Sequence, residues 1–219
     1  MTVLGAVSVW LDSAAFSLAN VPVTWAEVLG DITGALCVWL LARQNVLTWP
    51  LGMANNVFWG LLFFRSKLYA DTVLQGVFFA FAVYGWRQWR RPGLQLTAPS
   101  PVRRTTPCLW WTLAGVAVPA TVLTAWLLAR FTDSPAPVAD ASILTLSLVA
   151  TYGQAHRLLE SWLVWILVDV ISVPLYLSRG LYPTACLFVF FGVLCVVGFA
   201  QWSRSLQSTR SGAVASQKT

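Results

Sequence analysis

LYADTVLQGVFFAFAVYGWRQW, Leu68–Trp89, returns as LYPTACLFVFFGVLCVVGFAQW, Leu181–Trp202, at an offset of 113 residues. Leu68, Tyr69, Leu74, Phe78, Val83, Gly85, Gln88 and Trp89 recur as Leu181, Tyr182, Leu187, Phe191, Val196, Gly198, Gln201 and Trp202. Both copies are apolar and long enough to cross a hydrocarbon layer of roughly 30 Å as a helix. A membrane protein built from two copies of one unit has a natural place for a solute at the seam between them.

The rest of the chain has the same character. Of 219 residues, 58% are hydrophobic and 10% charged, where a soluble domain carries about 25% charge. Seven spans are expected, at about 23–43, 46–64, 69–89, 108–130, 141–158, 161–178 and 181–202. The N-terminus lacks the basic segment of a signal peptide, and Asp12 interrupts its first apolar run. Residues 1–22 therefore read as an N-terminal segment with an interfacial or frayed helix over 3–17. Residues 23–89 form the first three-helix repeat, 90–140 a linker with a central span, 141–202 the second repeat, and 203–219 a polar, flexible cytoplasmic tail.

A net charge of +6 in a soluble protein would suggest nucleic acid. Here the basic residues cluster in short loops, where they set orientation. With the C-terminus in the cytoplasm, Arg43, Arg87, Arg90, Arg91, Arg103, Arg104, Arg157, Arg204, Arg210 and Lys218 lie inside. Arg65, Lys67, Arg130 and Arg179 lie outside. The N-terminus is then external. Three spans followed by one crossing span make both triplets run in the same direction, which excludes an inverted repeat. The expected fold is an all-α integral membrane protein with seven transmembrane helices, as two parallel triple-helix repeats around one central helix (3+1+3).

The offset also places Trp49 on Trp162 and Asn56 on Asp169. Polar groups at such depth are costly without partners. Trp162, Trp165 and Asp169 share one helical face. Aromatic rings with carboxamide or carboxylate groups suit a flat heteroaromatic solute bearing hydroxyls. The candidate substrate-binding residues are Trp49, Asn55, Asn56, Trp59, Gln75, Tyr84, Gln154, Trp162, Trp165, Asp169 and Tyr176. The same asparagines and Asp169 could instead hold helices together, and Trp49 and Trp162 could belong to an interfacial belt. Gln75 and Tyr84 are counterparts of Phe188 and Val197, so the polar content is lopsided, as a site for one asymmetric molecule requires. Pro174 is expected to kink its span and place Tyr176 near the external mouth. His156 is the only histidine. With Cys37, Cys108, Cys186 and Cys195 scattered in apolar segments, no metal site forms. No cofactor site and no nucleophile–base constellation is visible either, which argues against an enzyme.

The runs Asn45–Trp89 and Glu160–Trp202 strongly resemble the bacterial nicotinamide riboside transporters of the PnuC type. The resemblance rests on Asn45 with Trp49-Pro50, Leu68-Tyr69-Ala70-Asp71, Gln75, Tyr84-Gly85-Trp86, Trp162 with Trp165, Pro174-Leu175-Tyr176 and Gly180-Leu181-Tyr182. It spans about residues 25–203. It implies the 3+1+3 arrangement and a central vitamin pocket in the bacterial inner membrane. It also implies uptake of nicotinamide riboside by facilitated diffusion, with a cytoplasmic kinase trapping the product. Relatives carry riboflavin or thiamine. A carboxylate at Asp169 suits ribose hydroxyls or a cationic pyridinium better than neutral riboflavin. A proton-coupled carrier using Asp31 or Asp169, or a receptor that binds without passage, are the other readings. Small lipid-facing residues leave room for a homo-oligomer, though no pattern specifies one.

Overall fold

A computed structural model describes residues 11, 13–18, 21–65, 67, 69–90 and 102–216. Among them stand seven long helices: α1 Trp25–Ala42, α2 Thr48–Arg65, α3 Tyr69–Trp89, α4 Pro107–Phe131, α5 Pro137–Ala155, α6 Ser161–Ser178 and α7 Tyr182–Ser216. Four of them, α1, α4, α6 and Tyr182–Ser208 of α7, are long and apolar enough by themselves to cross a membrane. The expected spans at α2, α3 and α5 are less apolar because they carry polar residues that face neighbouring helices. Thr145 of α5 hydrogen-bonds Thr121 of α4 at 2.5 Å, and Asn55 of α2 reaches the Gly30 carbonyl of α1 at 2.9 Å.

Two expectations at the ends change. Residues 14–17 do not belong to an interfacial helix. Strand β1 (Ala14–Leu18) pairs antiparallel with β2 (Val21–Thr24), a local pairing favoured by the β-branched Val21, Val23 and Thr24. Of the earlier part of the expected helix, residues 3–10 and 12 lie outside the described residues, and Leu11 is helical. Thr24 then caps α1 through a capping box with Glu27, which satisfies free N–H groups of the first turn. At the other end, the chain does not leave its helix at Ser203. α7 continues to Ser216, since no glycine or proline interrupts it before Gly212.

The 113-residue offset is written into the geometry. Helix α2 begins at Thr48 and ends at Arg65; α6 begins at Ser161 and ends at Ser178. Gln44 and Arg157 both adopt φ of 55°, and Lys67 and Gly180 adopt 61° and 72°. These equivalent left-handed residues end α1, α5, α2 and α6, where a reversal of the chain is needed.

Helix α1 packs on α2, α2 on α3, α3 on α5, α5 on α6, α6 on α7, and α7 back on α1; α4 packs on α5. Six helices thus close a ring with α4 attached outside. The ring is tied by a buried core that itself comes in equivalent pairs: Trp49 and Trp162, Ala82 and Cys195, Trp89 and Trp202, Ala42 and Ala155. A Cβ at Gly85 would collide with the Trp49 ring, and one at Gly198 with the Trp162 ring. Glycine at these two sites lets each indole lie flat against the backbone of the third helix of its unit. Just before α4, Arg103 bridges Leu158, and Thr105 donates twice to Glu160, each at 2.8 Å. This strap fixes the α5–α6 turn.

Candidate functional site

The inward face of α6 is built from Trp162, Trp165, Asp169 and Ser172, spaced so that they stack along one side of the helix. Trp162 and Ser172 are fully buried and Asp169 is 6% exposed. Trp162 Nε1, Trp165 Nε1, Asp169 Oδ2 and Ser172 Oγ are all buried without a hydrogen-bond partner among the described residues. Buried polar atoms nearly always have partners, because leaving one unmade costs roughly 1–3 kcal/mol. Four along one face leave a strip of unmet hydrogen-bonding capacity inside the bundle. Two are donors and one an acceptor, while the serine hydroxyl serves as either. Gly192 of α7 lies opposite Asp169: a Cβ there would come 3.6 Å from Asp169 Oδ2.

On the first unit, the buried Trp49 likewise carries an unpartnered Nε1. Its ring meets Trp89 edge-on at 5.5 Å, as Trp162 meets Trp202 at 5.5 Å. Trp49 and Trp162 are therefore core indoles at equivalent positions, not belt residues at a lipid interface. Asn56 is half-buried in α2.

The other expected residues make contacts of their own with neighbouring helices or with the backbone. Asn55 donates to the Gly30 carbonyl and to Thr33 Oγ1 at 2.9 and 2.6 Å, the helix-holding alternative for that residue. Trp59 covers Gly30 and stacks on Phe63 at 5.4 Å. Gln75 packs its Cβ over Gly60, at 3.5 Å from a Cβ placed there. The Gln154 carbonyl accepts from Trp89 Nε1. Tyr176 stacks on Phe188 at 5.1 Å. Tyr84 is on the α3–α5 seam: its hydroxyl contacts His156 Nε2 at 2.8 Å and accepts from Gln88 Nε2 at 3.0 Å, and its ring stacks on Tyr152.

Ser172, which is not among the expected residues, shares this face with its Oγ buried and unpartnered. A serine inside an apolar helix, one turn after a buried carboxylate on the same face, is the signal that marks it. No group of three or more His, Cys, Asp or Glu capable of holding a metal occurs among the described residues.

Residues 24–204 match the family model described as nicotinamide mononucleotide transporter. The riboflavin/roseoflavin transporter RibM of Streptomyces davaonensis is 32% identical, over 88% of this chain and 91% of its own length. The nicotinamide riboside transporter PnuC of Escherichia coli is 26% identical, over 87% of this chain and 90% of its own. The crystal structure of the vitamin B3 transporter PnuC superposes with a TM-score of 0.68 at 20% identity, covering 84% of this chain and 83% of that one. That match speaks for the fold. The chain belongs to the PnuC-type nicotinamide mononucleotide transporter family and is a multi-pass membrane transport protein rather than an enzyme.

Proposed function

We propose that this protein takes up nicotinamide riboside across the bacterial inner membrane by facilitated diffusion, and that the α6 face from Trp162 to Ser172 holds the solute. The observation that carries this reading is the buried, unpartnered Oδ2 of Asp169 on one face with two unpartnered indole N–H groups and the Ser172 hydroxyl. A buried charge calls for an opposite charge, and the pyridinium ring of the riboside supplies it. Trp49, Trp162 and Trp165 offer aromatic surface to the base, with Asn56 and Ser172 toward the ribose. A cytoplasmic kinase then traps the product, and no ion gradient is needed.

Two like-oriented triplets, α1–α3 and α5–α7 with α4 between them, complete the proposal. Support comes from the coincident ends of α2 and α6 and the matched left-handed residues. The charge bias then puts the N-terminus outside and the C-terminus in the cytoplasm.

Riboflavin is the second reading, favoured by the 32% identity to RibM. Calorimetric titration of the purified protein with both vitamins tests the choice. The riboside reading expects the tighter affinity for nicotinamide riboside, and riboflavin binding alone would overturn it.

A further inference from the structure

Between α6 and α7 runs a groove of about 590 Å³, its walls formed by aliphatic residues including Val170, Val193 and Val196. Those three side chains are 56–62% exposed on the outer side of the ring, the side that faces lipid in a membrane-spanning bundle. One polar side chain lines the groove: Asp169, itself 6% exposed, with Oδ2 unpartnered among the described residues. Gly192 opposite contributes no side chain that would cover the carboxylate.

Pro174, also in the groove wall, adds a second acceptor. Proline brings no N–H to the carbonyl four residues earlier, here that of Val170. The polar features of the groove are thus a carboxylate and a backbone carbonyl, with no donor from a side chain. Acceptors alone, at the foot of an aliphatic channel open to the bilayer, select a ligand that is cationic, carries several N–H donors and trails a hydrocarbon body. An alcohol supplies one donor and no charge, and a fatty acid supplies the wrong charge.

We propose that the α6–α7 groove binds primary alkylamines from the lipid side, with the ammonium on Asp169 and the Val170 carbonyl and the chain along Val193 and Val196. The groove adjoins the proposed solute face and shares the Asp169 carboxylate with it, so this inference rests on its own lining and not on which vitamin is carried.

Photolabelling of the full chain in lipid nanodiscs tests it. The probe is a twelve-carbon primary amine bearing an aliphatic diazirine; alcohol and carboxylic acid probes of equal length are the controls. The amine is expected to label α6 and α7 around Val170 and Val193 on the order of tenfold more than the alcohol, the scale of one charge-assisted contact. Unlabelled dodecylamine should displace it. Asp169→Asn should bring the amine down to the alcohol level. Val193→Trp should abolish labelling while nicotinamide riboside binding persists; Val196→Trp serves where the first variant does not fold. Equal labelling by amine and alcohol, label spread evenly over α4, or label unchanged in the tryptophan variants would overturn the site. Loss of riboside binding in the wild-type chain with amine labelling intact would sink the proposed function and leave the groove standing.

Discussion

Trp89 and Trp202 meet with ring centroids 6.5 Å apart, and each reaches into the other half of the molecule. Trp89 Nε1 donates to the carbonyls of Gln154 and Ala155 at 3.3 and 3.2 Å. Trp202 Nε1 donates to those of Leu41 and Ala42 at 3.2 and 3.1 Å. The four acceptors are equivalent under the 113-residue offset, and all lie in the last turn of a helix, where carbonyls lack intrahelical donors. Each half therefore caps the first helix of the other. Arg157, with its guanidinium 4.1 Å from the Trp89 ring, adds a cation–π contact on one side only.

Trp89→Phe and Trp202→Phe should each destabilise the protein by about 1–3 kcal/mol, since the ring volume is largely kept and a buried donor to two carbonyls is lost. Thermal unfolding in detergent reads the effect. Similar losses are expected from the two variants; a silent Trp202→Phe would contradict the exchange of caps.

Gly85→Ala and Gly198→Ala each place a methyl inside the volume of the Trp49 or Trp162 ring. Overpacking of this kind costs about 1–3 kcal/mol. Trp49→Phe combined with Gly85→Ala should recover part of that loss, because the atoms in the way belong to the six-membered ring of the indole. A double-mutant cycle with no coupling would reject the contact.

Asp169→Asn keeps the shape of the proposed solute face and removes its carboxylate. Affinity for nicotinamide riboside should fall at least about tenfold, the equivalent of about 1.4 kcal/mol, with riboflavin affinity little changed. Titration calorimetry distinguishes this from a fall in both, which would assign Asp169 to general architecture.

Tyr84→Phe removes the hydroxyl that joins Gln88 to His156 across the α3–α5 seam. Stability should drop by about 0.6–2 kcal/mol, the range of interhelical hydrogen bonds in membranes, with solute affinity intact. A selective loss of affinity at unchanged melting temperature would return Tyr84 to the binding surface.

Lys67→Cys and Ser178→Cys sit at the ends of equivalent helices. With parallel triplets, a membrane-impermeant thiol reagent added to intact cells labels both. Labelling of one from outside and of the other only after permeabilisation would mean the units are inverted.

Periodicity and the repeat made the helices, the pairing of Trp49 with Trp162 and the membrane setting legible in the sequence, because a twenty-residue apolar run has few ways to satisfy its backbone in lipid. The same reading placed Trp162, Trp165 and Asp169 on one face, since helical spacing is local. Partners were another matter. Asn55 finds its acceptor on Gly30, 25 residues away; Tyr84 meets His156 across 72; Trp202 reaches Leu41 across 161. Tertiary packing alone decided these, as it decided that Asn55 and Tyr84 bind protein groups while Asp169 and Ser172 are left with unpaired atoms. A side chain's rank in an apolar helix tells which way it points, and only the neighbouring helix tells what it meets.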